Sequence, residues 1–198
     1  MGDLDKILTG FEAANEVHPI SQLIWSIAHP NNGQPTDAQL NRAANLGIGF
    51  TLTFSSVRNG QIGPRFRSTM ERGVRMCLAS DAMNVSPYAP FQNLWYVTTG
   101  KTLLPGVPGV PQSERLTRQQ ALRHATVECA WFLGQEDRLG SLEVGKHADL
   151  IVLSDDYFSV PDDAIKDIHS VLTVVGGRIV HAEAEFAKLN HRKDERDD

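Results

Sequence analysis

Cysteine is nearly absent: the 198 residues include only Cys77 and Cys129. Two such residues make no disulfide framework. Each lies in an apolar stretch, Val74-Arg75-Met76-Cys77-Leu78 and Cys129-Ala130-Trp131, so both read as buried free thiols of a reducing compartment. Long hydrophobic runs are missing too; none approaches the roughly 20 residues that span a bilayer. Positive charge is not in excess, since 19 Lys and Arg face 24 Asp and Glu for a net charge of −5. That balance argues against a nucleic-acid binder, which carries a basic patch or stripe. The opening Met1-Gly2-Asp3-Leu4-Asp5-Lys6 is too acidic and too broken for a signal peptide. A cytoplasmic protein is expected, with neither a membrane nor a nucleic acid as partner.

What is present is an ordinary globular composition, 41% hydrophobic and 22% charged, with enough chain for a real core. Leu4, Ile7, Leu8, Phe11, Ala14 and Val17 recur at helical spacing up to Pro19. The run Leu23-Ile24-Trp25-Ser26-Ile27 reads as a buried strand ending at Ala28-His29-Pro30. Thr36 or Asp37 caps a second helix, and Gly47 closes it. Ile48 to Phe54 is a second strand, residues 65 to 72 a short helix stopped by Gly73, and Val74 to Ala79 a third strand ending at Ser80-Asp81. Strand ends recur about 26 residues apart, the rhythm of right-handed βα units in a parallel sheet. The strands are nearly all apolar, as parallel strands buried on both faces are.

Residues 90 to 100 predict a further helix, whose Phe91, Trp95 and Tyr96 fit a core better than a binding surface. The Pro- and Gly-rich stretch from Leu104 to Pro111 is long enough for a lid or rim. Thr117-Arg118-Gln119-Gln120 is a capping-box pattern that opens a helix towards Leu133, ended by Gly134. From Gly140 the texture turns β-rich. Gly140 to Lys146 predicts a turn-rich strand pair, and Ala148 to Leu153 and Ile168 to Val175 predict strands. Gly176-Gly177, between Val175 and Arg178, is a two-residue hairpin signal. The tail from His191 to Asp198 mixes charges of both signs without apolar periodicity, as a solvated end does.

In βα architectures, functional side chains stand at the C-terminal ends of strands. His29 and Asp81 each lie within two residues of such an end. An imidazole and a carboxylate converging on one face can hold Zn²⁺ and activate its water. Taken singly, a strand-end His is more often a hydrogen-bonded structural residue, and Asp after Ser is often a helix cap. The carboxylate of Asp149 reads as structural, accepting backbone N–H groups in a turn.

The order Ile27-Ala28-His29, Ala79-Ser80-Asp81, then Thr126, Ala130 and Leu133-Gly134 resembles the amidohydrolase superfamily. The most specific match is Gly140-Ser141-Leu142-Glu143-Val144-Gly145-Lys146-His147-Ala148-Asp149-Leu150-Ile151-Val152-Leu153, with Val174 to Val180 after it. It is similar to the segment in which such enzymes return from barrel to β-sandwich, and amidohydrolase family 3 is the nearest group. The resemblance runs from about Leu4 to His181. It implies an α/β fold: the C-terminal part of a TIM barrel, about three βα units, plus a β-rich segment of a composite β-sandwich. Residues 1–135 would be the partial barrel, equivalent to strands six to eight. Residues 136–182 would be the sandwich segment, and 183–198 a disordered charged tail.

The resemblance also implies roles. His29 matches the metal-binding histidine of strand six. Asp81 matches the strand-eight aspartate that binds metal and takes the proton from the attacking water. The implied cofactor is zinc or another divalent metal, and the implied substrate a small amide-type molecule whose non-peptide C–N bond is hydrolysed. The family's His-x-His pair at strand one, its mid-barrel Lys, Glu or Cys ligand and its strand-five His all precede the matched portion. Ala28 also stands where the family commonly has Glu. A catalytic zinc normally takes three protein ligands, so this chain alone is expected to be inactive, and whether it binds a metal stays open. A complementing N-terminal half or a homo-oligomer would then cover the open barrel. The alternative is a non-catalytic remnant acting as a binding or oligomerising protein.

Overall fold

A computed structural model describes residues 3–30, 34–53, 62–82, 86–103 and 105–193. The first half alternates helix and strand. Helix α1 (Asp3–Val17) buries Leu4 and Leu8, one turn apart, against the sheet layer. Strand β1 (Ser26–Ala28), helix α2 (Asp37–Leu46), strand β2 (Gly49–Thr53), helix α3 (Phe66–Glu71) and strand β3 (Met76–Ala79) follow. Thr36 and Gln39 form a reciprocal capping box at the start of α2, and Gly47 ends it in the left-handed region.

The strands pair in parallel in the order β1-β2-β3, with Ile27 opposite Phe50 and Leu52 opposite Leu78. Side chains alternate across a strand. Ile27, Phe50, Leu52, Met76 and Leu78 therefore share the face that packs into the core. The other face differs from the expected double burial: Ser26 and Ala28 are exposed, and Thr51, Thr53, Cys77 and Ala79 are half-buried. The three-stranded order leaves β1 as an edge.

Helix α4 (Pro90–Thr99) sends Phe91, Trp95 and Tyr96 into the core. The following loop is pinned. Its Val110 is buried, the amide of Gly63 donates to the Gly109 carbonyl (3.1 Å), and Arg115 Nε donates to the Val110 carbonyl (3.1 Å). Residues 109–111 are thus pinned as a rim is; Leu104, the start of the expected lid or rim, lies outside the described residues.

The single helix expected from Thr117 to Leu133 is two, α5 (Arg118–Ala125) and α6 (Val127–Phe132). Thr126, at φ −130° and ψ −83°, breaks it, and its hydroxyl donates to the Leu122 carbonyl (2.8 Å). Such back-bonding competes with the helical ladder. Gly140 to Lys146 forms turns, not the expected strand pair. The second sheet is antiparallel, in the order β4 (Leu150–Leu153), β5 (Ser170–Val175) and β6 (Arg178–Ala182). Gly176 and Gly177 turn the β5–β6 hairpin at φ 56° and 77°, the pair of positive values that a primed two-residue turn requires.

Residues expected in the disordered tail are 3-10 helical over Ala184–Lys193. Phe186 and Leu189, three residues apart and both half-buried, supply the apolar face that the charge pattern masks. Tyr157, Ile165 and Ile168 join the same core as Phe91 and Trp95. Arg118 fastens this piece through the carbonyls of Tyr157 (2.7 Å) and Val160 (2.6 Å) and the carboxylate of Asp162 (2.7 Å). Burial pushes the Tyr157 hydroxyl above its usual range.

The two cysteines are joined: Cys77 of β3 and Cys129 of α6 form a disulfide, with Cα atoms 4.8 Å apart. The free-thiol reading does not hold. Folding brings together residues 52 positions apart, which no local pattern reveals. Among the described residues, no helix is long and apolar enough to cross a membrane.

Two measurements test this packing. A Cβ at Gly109 would overlap the carbonyl oxygen of Gly100. Gly109→Ala should therefore lower stability by about 1–3 kcal/mol in denaturant titration, the usual cost of overpacking. Hydrogen bonds from Arg42 hold the Glu12 carboxyl below its ordinary value of 4.5. A depressed folded pKa gives stability that is present above 4.5 and lost as pH falls through the lower folded value. Arg42→Met should flatten that acid-side loss of melting temperature.

Candidate functional site

The aligned parallel register brings the C-terminal ends of β1 and β3 to the same rim of the sheet. One residue beyond β1, the amide of His29 still donates to the Thr51 carbonyl of β2 (3.1 Å). Asp81 stands two residues beyond β3. Both adopt left-handed backbone, at φ 52° for His29 and φ 55° for Asp81. This region is sparsely used by non-glycine residues, although His and Asp are enriched in it. Strain of this kind clusters at functional sites.

The two side chains meet across the end of β2, with His29 Nε2 and Asp81 Oδ2 3.7 Å apart. They are 42% and 48% exposed, so solvent and a small ligand reach both. A cavity of about 290 Å³ adjoins His29, which lines it with Asp3 and Leu4 of α1, Ile27 and Pro30; Asp81 is not among its lining residues. The Ser86 hydroxyl donates to the Ser80 carbonyl, and Asn93 Nδ2 donates to the Pro87 carbonyl (2.8 Å). These bonds tie the chain after Asp81 back to β3 and α4.

The remaining polar candidates are engaged elsewhere. The amide of Gly176 donates to Asp149 Oδ1 (2.6 Å), the turn-bracing role expected of that residue. His124 is buried, with Nδ1 2.9 Å from the Met76 carbonyl oxygen. His147 Nε2 lies 2.8 Å from Arg138 Nη2, and His169 and His181 both face Glu183. Asp3 at the cavity wall was not singled out from sequence. Its only signal there was an acidic residue in a first helical turn, common for its favourable place in the helix dipole.

One imidazole nitrogen and one carboxylate oxygen at this separation suit a divalent metal as donors, and the half-exposed rim leaves room for an ion and water. Among the described residues, no group of three or more His, Cys, Asp or Glu is arranged to hold a metal. The rim therefore fits part of a coordination shell.

The amidohydrolase family model matches residues 1–181, and the chain belongs to that family. Among curated relatives, an N-substituted formamide deformylase from Arthrobacter pascens is 33% identical over 111 residues, covering 56% of this chain and 20% of that protein. Among solved structures, N-isopropylammelide isopropylaminohydrolase from Burkholderia multivorans aligns with a TM-score of 0.64 at 19% identity. That alignment covers 90% of this chain and 43% of the other. A mutant atrazine chlorohydrolase TrzN from Arthrobacter aurescens, complexed with zinc and atraton, aligns with a TM-score of 0.57 at 21% identity, covering 84% and 38%. The chain thus spans about a fifth of the deformylase and about two fifths of these solved chains.

The left-handed turn at the rim is testable by backbone alone. His29→Ala and His29→Gly both delete the imidazole, but only glycine relieves the positive φ. The glycine variant should be more stable than the alanine variant by roughly 1 kcal/mol in urea titration. Equal stabilities would remove the strain.

Proposed function

We propose that the chain is the C-terminal portion of a metal-dependent amidohydrolase that hydrolyses a non-peptide, amide-type C–N bond of a small molecule. The observation that carries this reading is the convergence of His29 and Asp81 at one sheet rim, in a chain of this family. Residues 1–135 are read as the part of a barrel equivalent to its last three βα units, residues 136–182 as a sandwich segment, and the charged end as an appendage. Zinc, present in the chlorohydrolase complex, is the proposed metal.

His29 Nε2 and Asp81 Oδ2 would hold it. Bound there, the ion would lower the pKa of a water molecule and polarise the substrate carbonyl. Asp81 has a second task on this reading: its carboxylate takes the proton of the attacking water and passes it to the leaving nitrogen. Half exposure of both groups keeps them within reach of substrate, and Pro30 and Leu4 give the neighbouring cavity an apolar wall.

Two donors fall short of the three protein ligands usual for catalytic zinc. Full activity on this reading needs further metal ligands beyond these two. Cytoplasmic residence is proposed on the same family grounds. A second reading, a non-catalytic binding or oligomerising protein, is favoured by the lack of a three-ligand group among the described residues.

Zinc titration of the purified chain, followed by calorimetry, separates these readings. The hydrolase reading expects measurable zinc binding, weakened roughly tenfold or more by His29→Ala and by Asp81→Asn. Hydrolysis of an N-substituted formamide by the chain alone should stay at background. Zinc binding that neither substitution changes, or none at all, would sink the metal-site assignment and leave the second reading.

A further inference from the structure

We propose that the Cys77–Cys129 disulfide is a redox-operated latch between β3 and α6, opened by a dithiol reductant that enters along an apolar groove. The bond ties the middle of β3 to α6, whose Trp131 and Phe132 press on the start of β2 at Gly49. Glycine at 49 admits this approach, since a Cβ there would meet Phe132 Cζ at 2.6 Å. The latched helix also forms one wall of a groove of about 500 Å³. Leu122, Cys129, Ala130 and Leu133 lie on the helical side, and Leu150 and Ile151 of β4 lie opposite.

Two independent features mark this bond as operable rather than merely structural. First, it is reachable from the groove: Cys129 lines it, whereas Cys77 does not, and both residues are half-buried. Exchange rates depend on access and on which sulfur is attacked, and exposed disulfides are the labile ones. Second, both sulfurs already face acceptors that a thiol needs. Cys129 Sγ is 3.2 Å from the His124 carbonyl oxygen, and Cys77 Sγ is 3.7 Å from that of Leu78. A disulfide has no hydrogen to donate to these oxygens, whereas the two thiols made by reduction do. The reduced state therefore finds weak hydrogen bonds waiting without refolding.

The chemistry balances. A thiolate of the dithiol attacks Cys129 Sγ and the S–S bond breaks. Cys77 leaves as a thiolate and takes up a proton. The second thiol of the reductant then attacks the mixed disulfide, releasing Cys129 as a thiol. Two electrons and two protons pass to the chain, and the reductant leaves as its own disulfide. Freed of its crosslink, α6 is held to the β3 segment by packing and by the contacts of Arg75 with Glu128 (3.6 Å) and the Trp131 ring, and the groove between α6 and β4 can widen. Asp81 sits four residues beyond Cys77 on the same chain segment, so the latch also bears on the strand that ends at the candidate site.

The test reads the bond and its consequence separately. The air-oxidised chain should show no alkylation by iodoacetamide. Dithiothreitol at neutral pH, without denaturant, should expose two alkylatable thiols. Amides of α6 and β3 should then exchange hydrogen at least tenfold faster, with those of α1 and α2 unchanged, and oxidised glutathione should reverse the effect. Cys77→Ser should react with a disulfide reagent at least tenfold faster than Cys129→Ser, because only Cys129 lines the groove. Three results would overturn the proposal: thiols already free in the oxidised chain, reduction only after unfolding, or reduction with no local change in exchange. The wild-type reduction decides the matter even where a serine variant fails to fold.

Discussion

The parallel pairing of three short strands is the constraint on which the rest of the structure depends. Ser26, Gly49 and their neighbours start in register, and Phe50 to Thr53 run beside Met76 to Ala79. One face of that sheet carries Ile27, Phe50, Leu52, Met76 and Leu78, all packed into a single core with Leu4, Leu8, Leu40 and Phe66. A slip of one residue in any strand would turn its apolar side chains to the open face. Burial of whole side chains of this size contributes roughly 1.5–3 kcal/mol each, so the register is strongly enforced. The same register places the end of β1 and the end of β3 on one rim, and with them His29 and Asp81.

The second sheet depends on the first through a few directional contacts. Tyr157 packs edge-on against Phe91 of α4, with ring centroids 5.8 Å apart. Arg118 of α5 gathers the carbonyls of Tyr157 and Val160. A guanidinium offers five donors in a rigid fork, which suits bracing two backbone oxygens and a carboxylate at once. Helices α5 and α6 are consequently joined to the β4–β5 connection by Arg118 and to β3 by the disulfide. The apolar groove beside β4 follows from that placement. It is bordered by Leu133, Leu142 and Ile151, large apolar side chains that remain at least half exposed.

Local signals in the sequence were read where a short stretch suffices to satisfy its own backbone. Thr36 with Gln39 and Thr117 with Gln120 close capping boxes within four residues, and Gly176-Gly177 turns a hairpin by itself. Asp149 braces that hairpin from 27 residues away, as its turn chemistry suggested. The break at Thr126 was not legible, because the apolar spacing of Leu122, Ala125, Ala130 and Leu133 runs straight through it. Nor was the half-open sheet face: an apolar strand such as Gly49–Thr53 looks alike whether one or two layers cover it. Gly140 to Lys146 carries a diagnostic pattern, yet its backbone makes turns, since glycines at positive φ at 140 and 145 interrupt any ladder.

His29 and Asp81 were visible from their position after apolar runs, and the family resemblance pointed to the same pair. Residue order alone determined the succession of elements, the helix ends and the identity of the two candidate donors, because each follows from patterns a few residues long. Only the tertiary structure decided their 3.7 Å approach, the left-handed backbone beneath them and the cavity that His29 shares with Asp3. It also decided that Cys77 and Cys129 are partners, overturning a reading based on each cysteine's own neighbours. The reason is the same in every case: these features are set by distances between residues far apart in the chain, which close only when the buried face of the parallel sheet has packed.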